Sequence, residues 1–183
     1  MFKKFEEKES ISGISQLKSS VQKGIRKTIL DTYPSLVEEH LDEFLPKKDT
    51  YRLVKCHDRM ELLVNAAGTI LFFKSRDGPW IPTLRLLQEY PYMLVPQTVD
   101  KGAIKFVLSG ANIMCPGLTH PNAKMTAAEK GTIVAVFAEG KQHPLAIGCT
   151  LMSTSEIASK NKGIGVENYH YLNDGLWNMK PVK

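Results

Sequence analysis

Apolar residues recur at Ile14, Leu17, Val21, Ile25 and Ile29, three and four apart, the spacing that lines one face of a helix. Pro34 stops this first helix, since a proline cannot continue the hydrogen-bond ladder. Ser35-Leu36-Val37-Glu38 then reads as a capping box, with Ser35 as N-cap and Glu38 reaching back. The helix it opens carries Leu36, Val37, His40, Leu41, Phe44 and Leu45 and ends at Pro46. Beyond it the pattern shortens to strand-like runs at Tyr51 to Lys55, Met60 to Val64 and Thr69 to Lys74, the last two joined by a turn at Asn65-Ala66-Ala67-Gly68. Asp77-Gly78-Pro79 marks another turn, and Pro82 opens a short helix through Leu84, Leu86 and Leu87 that ends before Pro91.

A second pattern begins near Val95. Asp100 suits the N-cap of a helix from Lys101 to Ser109, and Gly110 stands where a C-terminal glycine belongs. Strand candidates follow at Ala111 to Met114, Thr132 to Ala138, Leu145 to Met152 and Gly165 to Tyr171, separated by turns at Pro116-Gly117, Glu139-Gly140-Lys141 and Asn173-Asp174-Gly175. Short strands at this spacing predict a small barrel. The fold class is α+β, with a boundary between residues 94 and 95.

Composition narrows the function. Of 183 residues, 43% are hydrophobic and 23% charged, as in a folded globular protein. No run of 18 uncharged apolar residues is present, so no membrane span is expected. The start, Met1-Phe2-Lys3-Lys4-Phe5, lacks the apolar core of a secretory signal. Cys56, Cys115 and Cys149 are odd in number and widely spaced, which fits reduced thiols in a cytosolic protein. The net charge of +5 suits an acidic partner such as RNA. All nine cations after residue 94 are lysines. Lysine meets phosphate as a point charge, whereas arginine reads guanine edges, so backbone and shape recognition is expected there. The bland alternative is a solvated lysine surface.

Catalytic patterns are missing. There is neither a P-loop nor a Gly-x-Ser-x-Gly elbow. Lys162-Gly163-Ile164-Gly165 lacks a third glycine and precedes a strand. The five histidines show no metal-binding pair at helical spacing. Cys56 and His57 are adjacent, so on a strand they point to opposite faces. Glu38-Glu39 and Asp42-Glu43 read as a solvated acidic face. The sequence predicts no enzyme, no cofactor and no metal.

The informative segment runs from Val99 to Leu118. On a helix, Ala103, Ile104, Val107 and Leu108 form a core stripe. Lys101 and Lys105 lie one turn apart, placed to grip phosphates together. Phe106 falls outside the stripe and either caps the core edge or stacks on a base or partner. Gly110-Ala111 and Pro116-Gly117 place small residues where a backbone could approach closely.

The Asp100-x-Gly102-Ala103 start, Gly110-Ala111-Asn112-Ile113-Met114-x-Pro116-Gly117-Leu118, Gly140-Lys141 leading to Pro144-Leu145-Ala146-Ile147-Gly148, and Gly165-Val166-Glu167 before His170-Tyr171-Leu172 together resemble a PUA domain. The resemblance implies an RNA-binding pseudo-barrel, often used at a tRNA end. It puts Lys101, Lys105, Ser109, Gly110, Ala111, Met114, Pro116 and Gly117 forward as the RNA face, with Phe106 as a protein contact. Together with the opening Met-Phe-Lys-Lys-Phe, Gly78-Pro79-Trp80-Ile81-Pro82-Thr83-Leu84-Arg85 and Leu172-Asn173-Asp174-Gly175-Leu176-Trp177, the whole chain is similar to the malignant T-cell-amplified sequence (MCTS) family. That implies a small N-terminal α+β domain packed on a C-terminal PUA pseudo-barrel. It also implies pairing with the density-regulated protein, DENR, and action on small-subunit rRNA and tRNA in reinitiation and post-termination recycling. Two alternatives stay open: an RNA-binding accessory subunit of a tRNA-modifying enzyme, and a protein-only scaffold.

Overall fold

Residues 1–183 are described by the computed structural model. They divide into two units, one of Phe5–Leu86 with Met179–Lys183, the other of Leu87–Asn178 with Met1–Lys4. The first unit opens with one helical turn, α1 (Glu7–Ser10), then strand β1 (Ile11–Gln16), α2 (Ser19–Thr32), α3 (Glu38–Phe44) and strands β2 (Tyr51–Cys56), β3 (Met60–Asn65), β4 (Ile70–Ser75) and β5 (Ile81–Pro82). The five strands form one antiparallel sheet in sequence order. Leu62, Val64, Phe72, Leu41 and Ile29 are fully buried in its core, each adding about 2 kcal/mol of burial free energy.

Four expectations fail here, wholly or in part. The helix predicted from Ile14 starts later, because Ile11 and Gly13 to Gln16 pair with β2 and Ile14 sits opposite Val54. Ser12, Gly13 and Ser15 favour helix weakly, and the sheet edge claims them. The apolar spacing holds further on and Ile29 stays inward, but the buried face of α2 is shifted away from Val21. Gln22, Arg26 and Ile29 face inward, while Val21 stays 48% exposed. The cause lies in the segment after α3, whose carbonyls need donors. Gln22 Nε2 donates to the carbonyls of Lys47 (3.3 Å) and Asp49 (3.1 Å). Arg26 Nη1 donates to the Leu45 carbonyl, and Nη2 donates to Glu38 at 3.0 Å and Asp42 at 2.9 Å. The acidic face read as solvated is therefore half structural. Helix α3 begins at Glu38, after Val37, and His40 Nδ1 accepts from the Val37 N–H, so the cap at Ser35 is not formed as predicted.

Helix α4 (Leu84–Glu89) leads into the second unit, which continues with β6 (Val95–Val99), α5 (Ile104–Val107), β7 (Ile113–Met114), α6 (Cys115–Thr119), β8 (Lys124–Met125), β9 (Ile133–Ala138), β10 (Ala146–Thr150), α7 (Thr154–Lys160), β11 (Ile164–Tyr171) and α8 (Gly175–Asn178). Its six strands run β7-β11-β10-β9-β6-β8 in a sheet that curls into a half-barrel. Strand β6 joins parallel to β9, Val99 beside Ala138, a non-local pairing that no sequence period announces. Helix α7, capped by Ser153 on the Glu156 N–H, also went unpredicted: only Ile157 is buried, so it shows no apolar stripe. At the β10–β11 bulge a side chain on Gly148 would place Cβ 2.4 Å from the Glu167 carbonyl oxygen, so only glycine fits. The core gathers Val99, Val107, Ile113, Leu118, Val134, Val136, Ile157 and Val166.

Candidate nucleic-acid interface

The helix expected over Lys101 to Ser109 forms in two pieces, a 3-10 turn at Lys101–Ala103 and then α5. Asp100 caps it as predicted, Oδ2 accepting from the Gly102 N–H at 3.0 Å. Of the expected core stripe only Val107 is buried, while Ala103 and Ile104 are half-covered against the core. A single turn of α-helix cannot turn four residues inward. Phe106 is 56% exposed, so it does not cap the core edge.

The chain after α5 reverses at Gly110, whose φ of +89° is strained for any other residue. A Cβ there would also press on the Tyr171 ring at 3.0 Å. The returning loop is held by Asn168 of β11, whose Nδ2 donates to the carbonyls of Val107 and Ala111, each at 3.1 Å. The Asn168 N–H in turn donates to Asn112 Oδ1 at 3.0 Å. Asn168 was not singled out in the sequence; its partners lie more than fifty residues away, beyond any local signal.

These constraints shape an open groove of about 690 Å³ between the Asp100 turn, α5, β7 and α6. It is lined by Asp100, Gly102, Ala103, Phe106, Val107, Ala111, Asn112, Ile113, Met114, Pro116, Gly117, His120 and Ile164. Most of the lining is apolar, and Met114 is 48% exposed on it. Of the predicted residues, Ala111, Met114, Pro116, Gly117 and Phe106 line the groove. Lys101, Lys105, Ser109 and Gly110 do not. Both lysines are exposed beside it, and Lys105 Nζ lies 5.0 Å from the Phe106 ring centre. Asp100, Asn112, His120 and Ile164 are groove residues that sequence reasoning missed. For Asp100 and Asn112 their place within the glycine-rich motif was an available signal.

Elsewhere, Cys56 is a poor nucleophile: burial first, then the Asp58 carboxylate, push its thiol up to about 11, which leaves little thiolate at neutral pH. No three His, Cys, Asp or Glu side chains gather as metal ligands, and no helix is long and apolar enough to cross a membrane.

Comparison with known proteins agrees with this architecture. Residues 5–91 match the Pre-PUA-like domain, and residues 97–172 match the PUA domain. A hypothetical protein from Pyrococcus horikoshii has a similar structure, with a TM-score of 0.72 at 26% identity over 90% of this chain and 98% of that one. The molecule is thus a two-part protein with a Pre-PUA unit and a PUA domain. At the level of sequence it is 67% identical to the malignant T-cell-amplified sequence 1 homolog of Drosophila melanogaster over 100% of both chains. It is 47% identical to the translation machinery-associated protein 20 of Schizosaccharomyces pombe over 97% of each. The chain belongs to the malignant T-cell-amplified sequence family.

Proposed function

We propose that this protein is a non-enzymatic, cytoplasmic translation factor. In this reading it binds the small ribosomal subunit and tRNA together with DENR, and promotes reinitiation and removal of tRNA after termination. A relative named for the translation machinery and the PUA domain support the translational and RNA-binding parts. The observation that carries the reading is the groove. Its lining is largely apolar and holds no lysine, yet two lysines stand exposed beside it. Unpaired bases suit such a floor, and phosphates suit the flanking ammonium groups. The ligand this favours is a single-stranded RNA end, as on the acceptor arm of tRNA. Phe106, exposed at the groove rim, is assigned to a protein contact.

The test is co-sedimentation of the full chain with small ribosomal subunits, with and without DENR, for the wild type and a Lys101→Glu/Lys105→Glu double variant. Both lysines are exposed, so the double variant folds normally. It binds more weakly, and its salt dependence falls by a slope of about 1.4 for two lost phosphate contacts on single-stranded RNA. Binding equal to the wild type removes both lysines from the interface. Turnover on unmodified tRNA supports the tRNA-modifying alternative instead.

A further inference from the structure

We propose that His120 reads a base seated in the groove, donating its Nε2–H to an acceptor on the base edge; this rests on the RNA-end reading above. His120 stands at the end of α6, where its backbone is fixed on both sides. Its N–H donates to the Pro116 carbonyl at 3.2 Å, and its carbonyl accepts from the Ala123 N–H at 2.8 Å. The preceding Thr119 hydroxyl bonds Asn161, tying α6 to the turn ahead of β11. The ring is fixed as well, because Nδ1 accepts from the Asn122 N–H at 3.1 Å.

That contact decides the tautomer. A neutral imidazole carries one proton, and a nitrogen that accepts cannot hold it, so the proton sits on Nε2. Nε2–H has no partner within the protein, and the side chain lines the groove. A donor already held in one tautomer and one orientation loses little freedom when a ligand arrives.

The other polar groups of the lining complete the case for a base over a phosphate. Asn112 Oδ1 is taken by the Asn168 N–H, which leaves its amide as a second donor. Asp100 Oδ2 is taken by the Gly102 N–H, which leaves Oδ1 as an acceptor. A carboxylate in the lining repels phosphate, whereas a base edge presents both donors and acceptors and is matched by a mixed set. The apolar surface at Met114 and Pro116 accepts the face of the base.

The full-length protein is titrated against a hairpin RNA with an unpaired 3′ end and against the same hairpin with abasic unpaired nucleotides, followed by fluorescence anisotropy. Wild type, His120→Ala and His120→Gln are compared, with circular dichroism to check folding. One hydrogen bond of this kind corresponds to about tenfold in affinity. His120→Ala loses about tenfold on the intact RNA and almost nothing on the abasic RNA. His120→Gln, whose amide nitrogen falls near the position of Nε2, regains most of the loss. Equal losses of His120→Ala on both RNAs, or no loss on either, overturn the assignment while leaving the groove as the RNA site. A wild type that binds neither hairpin instead sinks the RNA-end reading and the inference with it.

Discussion

Arg26 in the first unit and Asn168 in the second are both buried polar side chains that collect distant backbone carbonyls, and they do it with different chemistry. Arg26 carries a full charge, takes the Leu45 carbonyl, and is balanced by Glu38 and Asp42, whose side chains remain about half exposed. Asn168 is neutral, takes the carbonyls of Val107 and Ala111, and leaves its own Oδ1 without a partner. The charged solution tolerates water at its rim and orders a helix pair. The neutral one is about as deeply buried as Arg26, at 7% against 4% exposed, but has no charged partner, and an unpaired amide oxygen costs less there than an unpaired ion would. Arg26 itself lines a cavity of about 370 Å³, whereas Asn168 acts indirectly, through the loop that lines the groove proposed for RNA.

The largest effect expected of this comparison is at Arg26. Arg26→Ala removes the donor from the Leu45 carbonyl, leaves Asp42 without its cation and Glu38 with Lys47 alone, and it lowers stability by about 3 kcal/mol in urea unfolding. Affinity for the RNA hairpin is unchanged in the folded fraction. Asn168→Ala comes next, at about 1 to 2 kcal/mol, because the Ala111 carbonyl loses its donor, while the Val107 carbonyl keeps the Gly110 N–H and one unpaired oxygen is relieved. In contrast to Arg26→Ala, it weakens RNA binding, since the loop from Val107 to Asn112 loses its anchor. If Asn168→Ala matches the wild type in RNA affinity, the loop does not depend on the clip and the contrast fails.

The smallest effect is in acid. Hydrogen bonds from Arg26 and then Lys47 hold the Glu38 carboxyl below its ordinary range. A carboxyl depressed in the folded state binds fewer protons than in the unfolded chain, so its stabilisation is present above the unfolded value and lost as pH falls through the folded one. Thermal midpoints measured downward from pH 5 decline for the wild type, and part of that decline disappears in Glu38→Gln. Identical acid limbs for the two proteins show that the exposed side of this network contributes nothing.

Periods of two and of three to four, with glycine and proline punctuation, located the β2–β4 meander, α4 and the four strand segments of the second unit. They did so because those signals are local: apolar runs bounded by turn residues mark a strand whether one face is buried or, as in β9, both. The Asp100 cap and Gly110 reversal were legible for the same reason, and the motif around them led to the groove. Tertiary structure alone decided which face of α2 turns inward, since the carbonyls of Leu45, Lys47 and Asp49 demanded Gln22 and Arg26 over Val21. It likewise decided the parallel docking of β6 on β9, the division of the helix expected over Lys101 to Ser109 into a 3-10 turn and α5, and the gathering of Asp100, Asn112, His120 and Ile164 around one space. Each depends on backbone donors and acceptors that meet only after distant segments pack. A linear pattern records which side chains avoid water, but not which buried carbonyl will need a donor from elsewhere in the chain.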